Sequence, residues 1–331
     1  MSKNVIVTGG AGFIGSHVVD ALIAKKYKVW VVDNLSTGRR ENINPGAKLV
    51  KMDIRPSVGA IHDLPLLFRR IKSQYVFHCA AQMDVRRSLK EPLFDADVNV
   101  AGSLNVLKSA VDAKVKKLIF TSTGGAVYGD ASVIPTPETC TEAPISPYGV
   151  AKLAVDKYLH QFLYAYGLNY ASLRFGNVYG PRQNPSGEAG VIAIFAGRLA
   201  QGKVCTINGT GKQTRDFVYV GDVVDAALRA MQRSFVGVVN IATGKESSIN
   251  TVYDYLTQSV GTRLKAKHSP AIKGEQMRSV LDWRKAKKVL GWKPKVDLRE
   301  GIQRTIQWHR ENVKVQTSAK RQESTGLPVE E

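Results

Sequence analysis

The stretch that most constrains this chain lies at its start. Residues 3–8 (KNVIVT) form a short β-branched apolar run, followed at once by Gly9-Gly10-Ala11-Gly12-Phe13-Ile14-Gly15 and then by apolar residues at helical spacing through residue 24. A strand that passes through glycines straight into a helix has few uses. Gly9 permits the tight turn, Gly12 lets a pyrophosphate approach backbone N–H groups at a helix N-terminus, and Gly15 lets the helix sit close on the strand. A second strand, residues 28–32, ends in Asp33, about 20 residues beyond the glycines, where a carboxylate accepts hydrogen bonds from both ribose hydroxyls and repels a 2′-phosphate. The combination predicts a dinucleotide site that takes NAD. Arg39 and Arg40 are the nearby residues that would favour a 2′-phosphate instead.

Strand and helix patterns then alternate. Residues 48–52 lead to Asp53, residues 75–78 lead to the small-residue turn Cys79-Ala80-Ala81, a helix spans 93–113, and a strand at 117–121 leads to Ser122 and Thr123. Alternation of this kind means an α/β fold with a Rossmann-type doubly wound parallel sheet, whose ligands bind at the carboxyl ends of the strands. After a strand at 170–174, a Gly/Pro-rich loop over 176–190 breaks the rhythm and predicts a smaller α/β substrate-binding domain. The expected division is residues 1–175 with 215–246 returning to them, against 176–214 with 247–312. Residues 313–331 are polar and aperiodic, and disorder is expected there.

The formal charge of +19 is unusual, but the basic residues occur in separated pairs (Arg39-Arg40, Arg69-Arg70, Arg86-Arg87, Lys116-Lys117) and one cluster at 284–295. They form no stripe interleaved with aromatics, so the expectation is a solvated basic surface that draws in anionic small molecules, with no nucleic-acid partner. Cys79, Cys140 and Cys205 have neither disulfide-framework nor zinc-ligand spacing, and the histidines suggest no metal or triad, so no metal is expected. A reducing, cytoplasmic compartment fits these cysteines. No apolar run approaches the roughly 20 residues of a membrane span, and no membrane association is expected.

The chemistry points to Ser146-Pro147-Tyr148-Gly149-Val150-Ala151-Lys152. Ser146 reads as an N-cap and Pro147 as the first helical residue, so Tyr148 falls in the first turn with Lys152 on the same face. The helix dipole and the ammonium both favour phenolate over phenol, which predicts a tyrosine base working near neutral pH.

These residues resemble the extended short-chain dehydrogenase/reductases that act on nucleotide sugars, and among them the NAD-dependent UDP-glucose 4-epimerases. The motifs are TGGAGFIGS from Thr8, DNLSTG from Asp33, HCAAQ from His78, NVAGSLNVL from Asn99, PYGVAK from Pro147, LRFGNVYGPRQ from Leu173, RDFVYVGDV from Arg215 and LGWKPKV from Leu290. The resemblance implies an epimerase that keeps its NAD, with Tyr148 as the base, Lys152 as its partner and Thr123 bonding the sugar 4-hydroxyl, Ser122 in reserve. It implies cofactor contacts from Gly9, Gly12, Phe13, Ile14, Gly15, Asp33, Asn34, Asp53, Ile54, Cys79, Ala80, Ala81, Gln82 and Asn99. A UDP-sugar would meet Asn177 and Arg215, with Val191, Phe195, Ile207 and Phe217 around the uridine. The family arginine expected at Ile272 is missing, and Lys273 or Arg278 would replace it. Gly124-Gly125 stand where dehydratase and decarboxylase branches carry acids, which favours simple epimerisation over UDP-uronate epimerase, dehydratase or reductase activity. Ser279, small where a bulky residue closes the sugar pocket, implies room for an N-acetyl group. Homodimers are usual in the family.

Overall fold

A computed structural model describes residues 3–58, 60–185, 190–272 and 276–325, without the side chains of residues 60, 61 and 312–325. Seven strands make the main sheet: β1 (Asn4–Thr8), β2 (Lys28–Asp33), β3 (Lys48–Lys51), β4 (Tyr75–His78), β5 (Lys117–Thr123), β6 (Tyr170–Phe175) and β7 (Gly237–Ile241). Every pairing is parallel and the order is β7-β6-β5-β4-β1-β2-β3, so the winding reverses between β1 and β4. That switch point opens a crevice at the carboxyl ends of the two strands.

Helices cover both faces, as an all-parallel sheet requires. On one side lie α1 (Phe13–Ala24) and, much later in the chain, Val220–Gln232; on the other lie α2 (Ala60–Ile71), α3 (Gly102–Asp112) and α4 (Pro147–Tyr166). Helix α2 carries no clear signal because Pro65 interrupts its pattern, yet Leu64, Leu67, Phe68 and Ile71 bury one face. The helix expected over 93–113 is three pieces, Pro92–Ala96, a π-helical turn at Asp97–Ala101, and α3. That single wide turn re-aims Asn99 into the interior, and such turns collect at functional sites.

A second core gathers Phe195, Ile207, Phe217, Tyr253, Leu256 and Ile302 from the helices Val191–Ala200, Ile249–Val260 and Leu298–Thr325 and their short strands. The last helix begins with Asp297 accepting the N–H of Glu300 at 2.9 Å. It does not end near residue 312 but continues to Thr325, because nothing before Gly326 and Pro328 breaks a helix; residues 326–331 lie outside the described residues.

Candidate active site

The glycine turn is built by close packing. Gly9 has φ +68°, and a Cβ there would lie 2.5 Å from the backbone of Ala80, while one on Gly15 would lie 2.1 Å from the Gly9 carbonyl oxygen. At Gly12, by contrast, a Cβ would meet only the Gly9 oxygen at 3.2 Å. The ground before α1 is therefore open, and α1 has no side-chain cap, so the N–H groups of Phe13 and Ile14 face that space without intrahelical partners. A pyrophosphate fits such a cradle.

Asp33, buried at the end of β2, accepts the N–H of Ala11 at 2.9 Å and of Leu35 at 2.8 Å. Those bonds fix the carboxylate and leave acceptor capacity for a diol. Asn34 donates to Asp53 at 2.8 Å, and Arg55 forks onto the same carboxylate at 3.1 and 3.0 Å. Burial works against it, but the bonds from Arg55 and Asn34 hold Asp53 below the usual carboxylate range. Nothing in the sequence marked Arg55. The Ile54 side chain points into the core beside Gly102.

Across the crevice, Cys79 and Ala80 follow β4 and bond to Thr8 through their N–H groups. Burial raises the Cys79 thiol to about 12, which favours its protonated form. Gln82 and Asn99 lock together, with Gln82 N–H on Asn99 Oδ1 at 3.0 Å and Asn99 Nδ2 on the Gln82 carbonyl at 2.9 Å. Both also donate to Oδ1 of Asp95, at 2.8 and 2.9 Å. Asp95 is buried, its Oδ2 has no partner, and burial raises its carboxyl. Sequence reading missed Asp95, because an acid within a helix pattern normally reads as solvated surface.

At the centre, Ser146 caps α4 by accepting the N–H of Gly149 at 3.2 Å, and Pro147 opens the helix. Lys152, 3% exposed, donates to the Thr121 carbonyl at 3.0 Å, and its Nζ lies 5.8 Å from the centre of the Tyr148 ring. The expected lowering of Tyr148 is not what this pocket does by itself. Burial first, and then the Asp95 charge, push the Tyr148 phenol up, while burial brings Lys152 down to about 8. Desolvation acts on both groups, since it penalises every charge isolated from water.

The two hydroxyls at the end of β5 separate. Ser122 is buried and donates to Asp156 at 3.3 Å, within a network in which Arg174 also binds Asp156 at 2.9 Å and Glu142 at 2.7 Å. Thr123 is half-buried and accepts the N–H of Ala126 at 3.5 Å, with its hydroxyl proton still available. A Cβ on Gly124 would lie 2.3 Å from Leu281, and one on Gly125 would lie 3.0 Å from Ser279 Oγ. The glycine pair is thus where the strand Arg278–Ser279 presses against the end of β5.

That strand pairs with Thr214–Arg215, opposing Ser279 to Arg215, and the next residue, Asp216, accepts the N–H of Asn177 on its carbonyl at 2.7 Å. Asn177 is exposed, and Arg215 is half-buried with Nη1 on the Thr214 carbonyl at 2.8 Å. Arg278 forks onto Glu246 at 2.7 and 3.0 Å, and Lys273 lies outside the described residues. Val191 is half-buried, whereas Phe195, Ile207 and Phe217 belong to the second core, with Phe195 edge-on to Tyr253. Among the described residues no cluster could hold a metal ion and no helix is long and apolar enough to cross a membrane.

A glycine cradle, a diol-binding acid and a Tyr/Lys pair around one crevice define a nicotinamide-dependent enzyme that moves hydride to and from a hydroxyl. Residues 5–242 match the NAD dependent epimerase/dehydratase family, and the chain belongs to it. A UDP-glucose 4-epimerase of Mycolicibacterium smegmatis is 41% identical over 306 residues, covering 92% of this chain and 98% of its own. The UDP-glucose 4-epimerase of Thermotoga maritima, solved with UDP-glucose, superposes with a TM-score of 0.91 at 47% identity, covering 94% of this chain and 99% of that one. A UDP-N-acetylglucosamine 4-epimerase from Methanobrevibacter ruminantium, in complex with UDP-N-acetylmuramic acid, gives 0.88 at 35% identity, with 94% and 99% covered.

Proposed function

We propose that this chain inverts C4 of a UDP-hexose, interconverting UDP-glucose and UDP-galactose through a transient 4-keto sugar with NAD retained. The observation that carries the reading is Lys152, which bonds to the Thr121 carbonyl of the strand that ends in Thr123 and lies 5.8 Å from the Tyr148 ring, with the glycine cradle two strands away in the same sheet. The first turn of α1 takes the pyrophosphate, Asp33 the ribose diol, and Asn34, Asp53 and Ile54 border the adenosine. Cys79, Ala80, Ala81, Gln82 and Asn99 border the nicotinamide. Bound NAD supplies the acceptor and later the donor of the C4 hydride, and a positive ring charge that opposes the desolvation of the phenolate.

Tyr148 takes the 4-hydroxyl proton as hydride leaves C4, and returns it after the keto sugar has turned over and been reduced on its other face. Thr123 donates to the 4-oxygen, while Ser122 is committed to Asp156. Lys152 supplies the cation that stabilises the phenolate. With glycine at 124 and 125 those two positions offer the 4-keto sugar no carboxyl, so elimination of water or carbon dioxide lacks the acid/base group it would draw from them. On the other wall Asn177 and Arg215 face the diphosphate, a fork suited to two oxygens at once; Val191, Phe195, Ile207 and Phe217 enclose the uridine, and Arg278 stands at the rim.

Ser279, 9% exposed and against Gly125, leaves room for UDP-GlcNAc and UDP-GalNAc as further substrates. Purified protein given a panel of UDP-sugars without added cofactor inverts C4 by NMR; accumulated NADH, or loss of water or carbon dioxide, overturns the reading. Two helices supply the homodimer contact: a groove of about 550 Å³ lined by Pro92, Ala96, Val150 and Ala154, flanked by Leu93 at 86% exposure. Leu93→Glu yields monomers in sedimentation. Three unpaired cysteines accord with a cytoplasmic enzyme.

A further inference from the structure

Basic pairs that are far apart in sequence converge in the fold. In a parallel sheet every helix-to-strand turn comes to the amino ends of the strands, on the face opposite the crevice. The turn from α1 into β2 carries Lys25, Lys26 and Lys28, and the approach to β4 carries Arg69, Arg70 and Lys72, all exposed. Lys3 stands before β1, and Lys114 and Lys116 before β5. Backbone bonds tie these turns into one row: Lys28 N–H to the Lys3 carbonyl at 3.1 Å, Gln74 to Asn4 at 3.0 Å, and Lys116 to Gln74 at 2.9 Å.

The row is not neutralised. Among the described residues none of Lys25, Lys26, Lys28, Arg69, Arg70 and Lys72 makes an ion pair, and Asp112 at the end of α3 is already held by Lys108 at 2.6 Å. The charge continues at the edge, where Lys287 and Lys288 of Arg284–Leu290 stay exposed, while Arg229 there is balanced by Asp225 at 2.9 Å. Like charges on adjoining strands repel, so this face lacks an intramolecular reason for its composition.

We propose that the amino-end face of the sheet docks on an anionic lipid bilayer, leaving the active-site crevice turned away from it. Three features favour a bilayer over a nucleic acid. The face is broad, since seven strands at about 4.8 Å spacing span about 30 Å. It is formed mostly by short turns, with the seven-residue helix Arg284–Leu290 at its edge, rather than by a helix or ribbon presented to a groove. Its exposed aromatics, Tyr164 and Tyr166, stand at one rim, at the end of α4, where tyrosine suits a headgroup layer. Lysine and arginine near such a surface contribute roughly fivefold each to binding, so a handful suffices for salt-sensitive attachment without an anchor.

The test is co-sedimentation of the full chain with phosphatidylglycerol-rich and with pure phosphatidylcholine vesicles. Wild type is expected to sediment with the former alone and to be released by salt. The combined Lys26→Glu, Arg70→Glu, Lys114→Glu variant should lose binding by well over tenfold. A control with the same charge change elsewhere, Lys203→Glu, Lys265→Glu, Lys267→Glu, should lose far less, and turnover should persist in both. Equal losses in the two variants, absence of vesicle binding, or tighter binding to duplex DNA at matched phosphate concentration would each overturn the proposal.

Discussion

Lys152→Met tests the reading of the site from two directions. The ammonium lies 5.8 Å from the Tyr148 ring centre, so at an effective dielectric constant of about 20 its attraction for a phenolate is about 3 kcal/mol, or a factor of about 100. Loss of that attraction should lower kcat at neutral pH about a hundredfold, and the rate should still be climbing at alkaline pH where wild type has levelled. Wild type is expected to level because Lys152, brought down to about 8 by burial, gives up its charge above that pH. Stability moves the other way. A lysine whose folded pKa lies below its unfolded 10.5 binds fewer protons folded than unfolded between the two values, so stability rises with pH across that window and is penalised below it. The penalty is about 3 kcal/mol at pH 7, and methionine removes it while orphaning the Thr121 carbonyl, at about 1 kcal/mol or more. The variant should therefore be about 1 to 2 kcal/mol more stable by denaturant titration while nearly inactive in single-turnover epimerisation at matched NAD occupancy. A kcat loss below tenfold, or destabilisation with the alkaline limb unmoved, refutes the electrostatic account and makes Lys152 a packing residue.

Asp95→Asn keeps the acceptor used by Gln82 and Asn99 but removes the charge that raises Tyr148, so the acidic limb of the pH–kcat profile should move to lower pH with thermal stability preserved. Asp95→Leu, which strands both amides, should cost about 2 kcal/mol and reduce NAD retention measured by absorbance. Arg174→Met leaves Asp156 buried without its cation and should cost about 3 to 5 kcal/mol in chemical denaturation, whereas a joint Arg174→Met, Asp156→Leu change should recover much of that. Ser279→Tyr should cut turnover of UDP-GlcNAc relative to UDP-glucose at least tenfold in parallel assays; an unchanged ratio would remove Ser279 from the sugar pocket.

The parts legible in the sequence are those whose partners lie within a few residues. The glycine turn, the Ser146 cap with Tyr148 and Lys152 on one face, and the strand-ending Asp33 each depend on local spacing, and the structure builds them at the expected positions. Asp95, Arg55 and Arg174 escaped because each has a partner well away in sequence, at Gln82, Asp97 and Asp156. Phe195 shows the converse limit: an apolar residue on a helix bordering a cleft has the same sequence signature whatever it packs on, and only the fold shows its edge-on contact with Tyr253.

The direction of the Tyr148 shift shows what such reading leaves out. Spacing supplies the signs of the interactions that act along a helix, the dipole and the cation four residues on, and both favour phenolate. It is silent on desolvation, which depends on everything else packed around the ring and here raises the phenol. The consequence is functional as well as electrostatic. On the proposed reading, a phenol that burial makes hard to ionise becomes a base when the positive charge of oxidised NAD joins that of Lys152. Proton removal is then coupled to the oxidation state that can accept the hydride, so the pocket begins the reaction from the form of the cofactor able to continue it.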